Sequence, residues 1–250
     1  MKFFLICLLC GFLAQMVDGT LGMAYGVSSS TFLRAMGIPS AMASFCTHTA
    51  EIFTTLASGI SHFALKNIDK KLMLRLIVPG VLGGVLGAYV LTSVDDSVIS
   101  PIVSAYLIVM GVVIFLKAFR KKEQKERKIG GFVYPLAFVG GFSDSLGGGG
   151  WGPVVTSTLV ALNCEIRKTI GSVNAAEFFV TLAESAAFFL TIGSLGDSLP
   201  AVLGLIVGGV IASPIAAWLC KKIPLRPLIA IVGLLIIGVN AWKLISSLGL

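Results

Sequence analysis

Residues from Asp18 to Phe63 match residues from Asp144 to Phe189 without a gap, at a constant offset of 126 positions. The identical pairs include Gly22/Gly148, Gly26/Gly152, Leu33/Leu159, Ala50/Ala176, Glu51/Glu177, Phe53/Phe179 and Thr55/Thr181. The same offset pairs Phe12 with Phe138, Pro101 with Pro227 and Lys117 with Lys243, so the duplication covers nearly the whole chain. Two halves built from one unit must fold alike, and both place carboxylates inside apolar stretches.

Composition sets the solvent in which they fold. Hydrophobic residues make up 56%, charged residues only 12%, and the mean hydropathy is +0.96. A bilayer accommodates that much apolar surface and water does not, so the fold class expected is all-α and polytopic, with the lipid bilayer as partner. A duplicated unit of this kind is a pattern found in transporters. The net charge of +7 gives no nucleic-acid footprint, because the basic residues sit in short loops rather than on one accessible face. Cys7 and Cys10 have metal-like spacing but no second pair beside them and read as buried thiols. No cofactor or metal motif stands out. The opening MKFFLICLLCG mimics a secretion signal, yet it is the counterpart of Gly131–Ser143 in the second copy and is read as part of the fold.

Each copy contains five apolar pieces. They run Phe3–Val17, Met23–Met36, Ser40–Leu65, Leu72–Val94 and Val98–Leu116, then Phe132–Phe142, Trp151–Leu162, Ile170–Ile192, Leu199–Leu219 and Leu228–Ile245. The last three of each set suit full spans. The first two are short and fit either a re-entrant hairpin or two short tilted spans. The expected division is residues 1–117 as the first repeat, 118–130 as a basic linker and 131–250 as the second repeat. Charged loops alternate between the copies: Lys66, Lys70, Lys71 and Arg75 follow the third piece in the first, whereas Lys221, Lys222 and Arg226 follow the fourth piece in the second. The copies therefore read as inverted. With the linker cytoplasmic, every Lys and Arg except Lys2, Arg34 and Lys243 falls inside, and both termini fall outside. The location expected is the cell membrane.

Asp18, Glu51, Asp144, Glu177 and Glu184 are the acids expected within hydrocarbon. A buried carboxyl there costs a few kcal/mol, which makes each a candidate for cavity lining or ion coupling. Glu51 shares a helical face with His48 and Thr55, and Glu177 shares one with Asn174, Thr181 and Glu184. Interhelical hydrogen bonding is the plainer role for these polar stripes. Gly147, Gly148, Gly149 and Gly150, followed by Trp151, form a tip at which a helix begins, with its positive dipole end turned toward the tip. The first copy has the weaker version around Gly22 and Tyr25. Together these residues outline a midplane site for a small anion. Asp18 and Asp144 also permit a second reading, an intramembrane aspartyl protease, and a passive anion channel is a third. The protease reading is disfavoured by the VDG and SDS contexts of the two aspartates, so no enzyme is expected.

The segments GFSDSLGGGGWGP (Gly141–Pro153), GFLAQMVDGTLGMAYG (Gly11–Gly26) and IGSVNAAEFFVTL (Ile170–Leu182) resemble the TauE/SafE-type sulfite exporter family over essentially the whole chain. The resemblance implies a permease for sulfur-containing anions or organic acids. By motif position it points to Asp144, Gly147–Gly150, Trp151, Asn174 and Glu177. The first copy departs from the glycine-rich pattern and carries His48 in place of Asn. Substrate, direction of transport, coupling ion and oligomeric state stay open at this level.

Overall fold

The computed structural model describes residues 2–21, 23–117, 119, 130–162, 164–219 and 226–247. Among them are ten α-helices and no strand: α1 (Lys2–Leu21), α2 (Tyr25–Ala35), α3 (Ser40–Ala64), α4 (Lys70–Ser93), α5 (Asp96–Lys117), α6 (Val133–Gly147), α7 (Ser157–Ala161), α8 (Ile166–Ile192), α9 (Leu199–Leu219) and α10 (Arg226–Ser247). A π-helical turn, Gly152–Thr156, runs directly into α7. The chain is an all-helical, polytopic membrane protein. Among the described residues five stretches are long and apolar enough to cross: Lys2–Gly19, Lys70–Ser93, Asp96–Leu116, Arg167–Ile192 and Gly196–Ala216. Large apolar side chains such as Leu74, Val78, Tyr89, Leu190 and Trp242 point outward, as they do where lipid is the solvent. Most of the basic linker, Gly22, Lys221 and Lys222 lie outside the described residues.

Helix α1 differs from the length read in sequence. The first apolar piece was expected to stop at Val17, before the carboxylate, but α1 continues through Asp18 to Leu21 and spans 20 residues. Asp18 is buried against protein rather than lipid, so the acid does not end the helix. The 25-residue α3 is about 37 Å long and could cross. It is not among the five apolar stretches because its polar stripe, buried inside the bundle, lowers its hydropathy.

The most extensive interfaces join one copy to the other. Helix α1 packs on α9, and the equivalent helix α6 packs on α4; α3 packs on α9, and its equivalent α8 packs on α4. The remaining large interfaces, α3 with α8 and α5 with α10, pair equivalent helices. Small residues make the first type of contact possible. A Cβ on Gly87 would meet the Phe142 carbonyl on α6, and one on Gly204 would meet the Phe4 carbonyl on α1, so these backbones are in direct contact. Directions follow from residue pairs. His48 meets Glu184 while Ser58 meets Asn174, so α3 and α8 cross antiparallel. Gly111 lies against Ile237 and Phe115 against Gly233, so α5 and α10 also cross antiparallel.

Arg34, read from loop charge as lying on the extracytoplasmic side, is buried at the end of α2, with 1% of its surface exposed. Its Nε donates to Ser40 Oγ (3.3 Å) and its Nη1 to Asn240 Oδ1 (3.0 Å), while Nη2 donates to Ser100 O, Ser100 Oγ and Ser104 Oγ. One guanidinium thus fastens α2 to α3, α5 and α10. Lys243 Nζ adds a bond to the Arg34 carbonyl at 2.7 Å. The second copy has Val160 at the equivalent position, so this clamp closes one end of the molecule only. Replacing Arg34 by Leu strands several acceptors, each worth about 1–3 kcal/mol when left unsatisfied. Thermal unfolding of purified Arg34→Leu in detergent should show a lower midpoint. Arg34→Lys should recover only part of the loss, because an ammonium cannot reproduce the planar fork; a Leu variant as stable as wild type would show that the clamp carries no weight.

Candidate functional site

Each copy is interrupted at the same place. In the second copy α6 ends at Gly147, the chain turns through Gly148 in the left-handed conformation (φ 67°), and helix resumes at Trp151. Glycine adopts that conformation without the steric cost of a side chain. Asp144 organises the turn. Its carbonyl accepts from Gly149 N–H at 3.0 Å, and its Oδ1 accepts from Gly150 N–H at 2.5 Å and Trp151 N–H at 2.9 Å. These are capping bonds to the resumed helix. The first copy breaks between α1 and α2, where Ala24 stands at φ 101° in the position equivalent to Gly150. A non-glycine residue held there stores about 1–3 kcal/mol of backbone strain.

The two breaks meet. A Cβ on Gly26 would lie 2.7 Å from Gly148 O and Gly149 Cα and 2.8 Å from Glu51 Oε1. Ser30 Oγ donates to Gly147 O and Ser44 Oγ to Ser145 O, both at 2.6 Å, and fix the second tip against the first copy. Where the tips meet, a small cavity is lined by Asp18, Glu51, Asp144 and Glu177, together with Ala24, Gly26, Val27, Gly149, Gly150, Gly152 and Pro153. Each lining residue except Gly149 has its repeat partner in the same lining: Asp18 with Asp144, Ala24 with Gly150, Gly26 with Gly152, Val27 with Pro153 and Glu51 with Glu177. The cavity therefore lies where the two copies exchange places. It has room for about one water molecule. No Lys or Arg is among its described lining residues. Glu51 Oε2 and Asp144 Oδ2 are buried without a hydrogen-bond partner among the described residues.

Beside the cavity, His48 joins two acids. Its Nδ1 lies 2.7 Å from the Ser44 carbonyl, which fixes that nitrogen as the donor. Its Nε2 lies 2.9 Å from Glu184 Oε2 and 3.5 Å from Asp144 Oδ2. His48, Glu51 and Asp144 bring one donor atom each within 4.8 Å of one another. Glu184 Oε2 stands closer to Nε2 than Asp144 Oδ2 does, and these contacts are at ion-pair distance, because Nε2 and both oxygens are buried without a hydrogen-bond partner among the described residues.

The structure thus brings Asp18, Glu51, Asp144, Glu177, Gly149 and Gly150 to one cavity and sets His48 and Glu184 against its Asp144 edge. Trp151 is fully buried behind the tip, with Nε1 donating to Val173 O, and Tyr25 OH donates to Leu205 O. Asn174 Nδ2 donates to Ser58 Oγ at 2.9 Å. Thr55 and Thr181 donate to the carbonyls of Glu51 and Glu177 on their own helices and are not in the lining. Gly147 and Gly148 form the turn behind the cavity, and Gly22 lies outside the described residues. Four of the tip N–H groups expected to face an anion, those of Gly148, Gly149, Gly150 and Trp151, are taken by Asp144 instead. Gly26, Gly152 and Pro153 entered the sequence reading only as repeat identities or neighbours of the glycine run; testing every repeat pair around the two breaks would have singled them out.

The model of the family described as "Sulfite exporter TauE/SafE" matches residues 7–242. A protein from Bacillus subtilis (strain 168), described as "Probable membrane transporter protein YtnM", is 39% identical over 253 residues, covering 99% of this chain and 84% of that one. No solved structure matches with comparable significance. This multi-pass helical protein, with two broken helices meeting at a cavity of matched acids, belongs to the TauE/SafE family and is a membrane transporter rather than an enzyme.

Proposed function

We propose that the protein is a permease for a small sulfur-containing anion of the sulfite, thiosulfate or organosulfonate type, taken up between two inverted repeats where the cavity, now about the size of one water molecule, widens to admit it. The observation that carries the reading is the cavity lining: matched residues from both helix breaks face one space. Equivalent helices crossing antiparallel support an exchange axis lying in the membrane plane, as inverted repeats require. The name of the matching family directs the choice of anion. Four carboxyl groups line the space and would repel an anion if all were ionised, so the anion enters when cavity carboxyls carry protons. The starts of α2 and of the helix from Trp151 add positive dipole ends at the breaks. Alternating access follows from movement of one part of each repeat against the other. In the cell membrane the basic linker faces the cytoplasm and both termini face outward. Reconstituted protein should transport labelled sulfite or thiosulfate, with competition from sulfonates stronger than from simple carboxylates. Competition by carboxylates alone would overturn the choice of sulfur anion.

Two substitutions probe the cavity. In Gly149→Ala the new Cβ meets the backbone of Gly26 and Val27, whereas in Gly238→Ala it meets nothing within 4 Å. At matched expression, Gly149→Ala should lower transport by about tenfold or more, the rate equivalent of about 1–3 kcal/mol of overpacking, and Gly238→Ala should not. Glu177→Gln imitates the neutral acid and should retain anion binding at a pH where the wild type has begun to lose it. Equilibrium binding measured against pH checks this; parallel loss in both proteins would remove Glu177 from the admission step.

A further inference from the structure

The crossing of α3 and α8 has two polar contacts, and they are repeat equivalents of each other. Position 48 corresponds to 174, and position 58 to 184. At one end of the crossing His48 meets Glu184 at 2.9 Å; at the other, Asn174 meets Ser58 at the same distance. The geometry is duplicated while the chemistry is not. An amide donating to a hydroxyl is neutral and keeps its bond at any physiological pH. An imidazole nitrogen facing a carboxyl oxygen this closely stays in contact only while a proton lies between them.

We propose that the His48–Glu184 pair carries the one proton gained and released in each turn of the transport cycle, the cavity carboxyls keeping theirs; this rests on the permease reading above. The proton balance is simple. With Nδ1–H committed to Ser44 O, either Glu184 is the acid donating to the Nε2 lone pair, or Nε2–H donates to the Glu184 carboxylate. Both descriptions hold the same single proton on one Nε2–Oε2 axis. Removing it leaves a lone pair facing a carboxylate, and the contact separates. Proton loss therefore opens one end of the α3–α8 crossing while Asn174–Ser58 holds the other as a pivot. The groups facing the pair are Asp144 on α6, Glu51 on α3, Glu177 on α8 and Tyr106 on α5, with the Phe188 ring beside the imidazole. None of them is cationic. Asp144 places the effect at the cavity, because its Oδ2 is 3.5 Å from His48 Nε2 while its Oδ1 caps the helix at the tip. Binding in the cavity and proton occupancy of the pair thus act on one side chain.

The test copies the neutral end onto the other. His48→Asn with Glu184→Ser rebuilds the Asn–Ser contact in place of the proton-holding pair. In proteoliposomes, anion uptake with an imposed proton gradient is divided by uptake without one. This ratio should fall to about one in the double variant and stay well above one in wild type, whatever the absolute rates. A gradient-driven ratio unchanged from wild type would overturn the proposal. A second readout needs no transported anion. Infrared difference titration of the purified protein between about pH 5 and 8 should show a carboxylic or imidazolium band that the double variant and Glu184→Gln both lack. Persistence of the full titrating signal in both variants would also overturn it. If wild type moves no sulfur anion but the infrared signal disappears as expected, the choice of anion fails and the proton site stands.

Discussion

Asp144 holds the centre of the molecule together, because a helix broken inside a membrane must find partners for the backbone groups it frees. One oxygen of this side chain takes two N–H groups of the resumed helix, and its own carbonyl takes another from Gly149. The other oxygen faces His48. A single carboxyl therefore closes the break, shapes the glycine tip and connects it to the polar pair on α3 and α8. The short Ser30 and Ser44 bonds then fix that tip against the first copy. Without the cap, neither the tip geometry nor the cavity between the breaks would be defined.

Symmetry and its local failure divide the labour. The cavity lining is nearly perfectly matched, which suits a site that must be reached from both sides of the membrane. The flanking features are not matched. His48–Glu184 has Asn174–Ser58 as its counterpart, and the Arg34 clamp has Val160. A duplicated scaffold supplies the matched cavity lining, and single substitutions in one copy make its surroundings differ.

Much of this was legible in the sequence because a repeat offset is a geometric statement. Asp18/Asp144 and Glu51/Glu177 were identifiable as a matched set, and they line one cavity. The polar faces of α3 and α8 were visible from spacing alone, since side chains three and four apart share a face. What spacing could not give was partnership across helices. His48 lies 136 residues from Glu184 in the chain, and nothing local joins them. The contacts of Arg34 were out of reach for the same reason, since its acceptors lie on three other helices, α3, α5 and α10. The length of α1 was underestimated because an acid was taken to end an apolar run. Burial against protein removes that penalty.

The way the copies interlock bears on how the protein is made. Helix α1 has its largest interface with α9, and α4 with α6, so the first half emerges from the ribosome before its main neighbours exist. Until synthesis passes Leu219, the glycine-edged faces of α1 and α3 must wait against lipid or against an insertion factor, with Asp18 and Glu51 still unburied. Closing these interfaces joins segments far apart in sequence, the kind of contact that slows folding. The second half is thus as much the partner that completes the first as it is a copy of it. A gene split at the basic linker would yield two fragments able to mature only when both share one membrane.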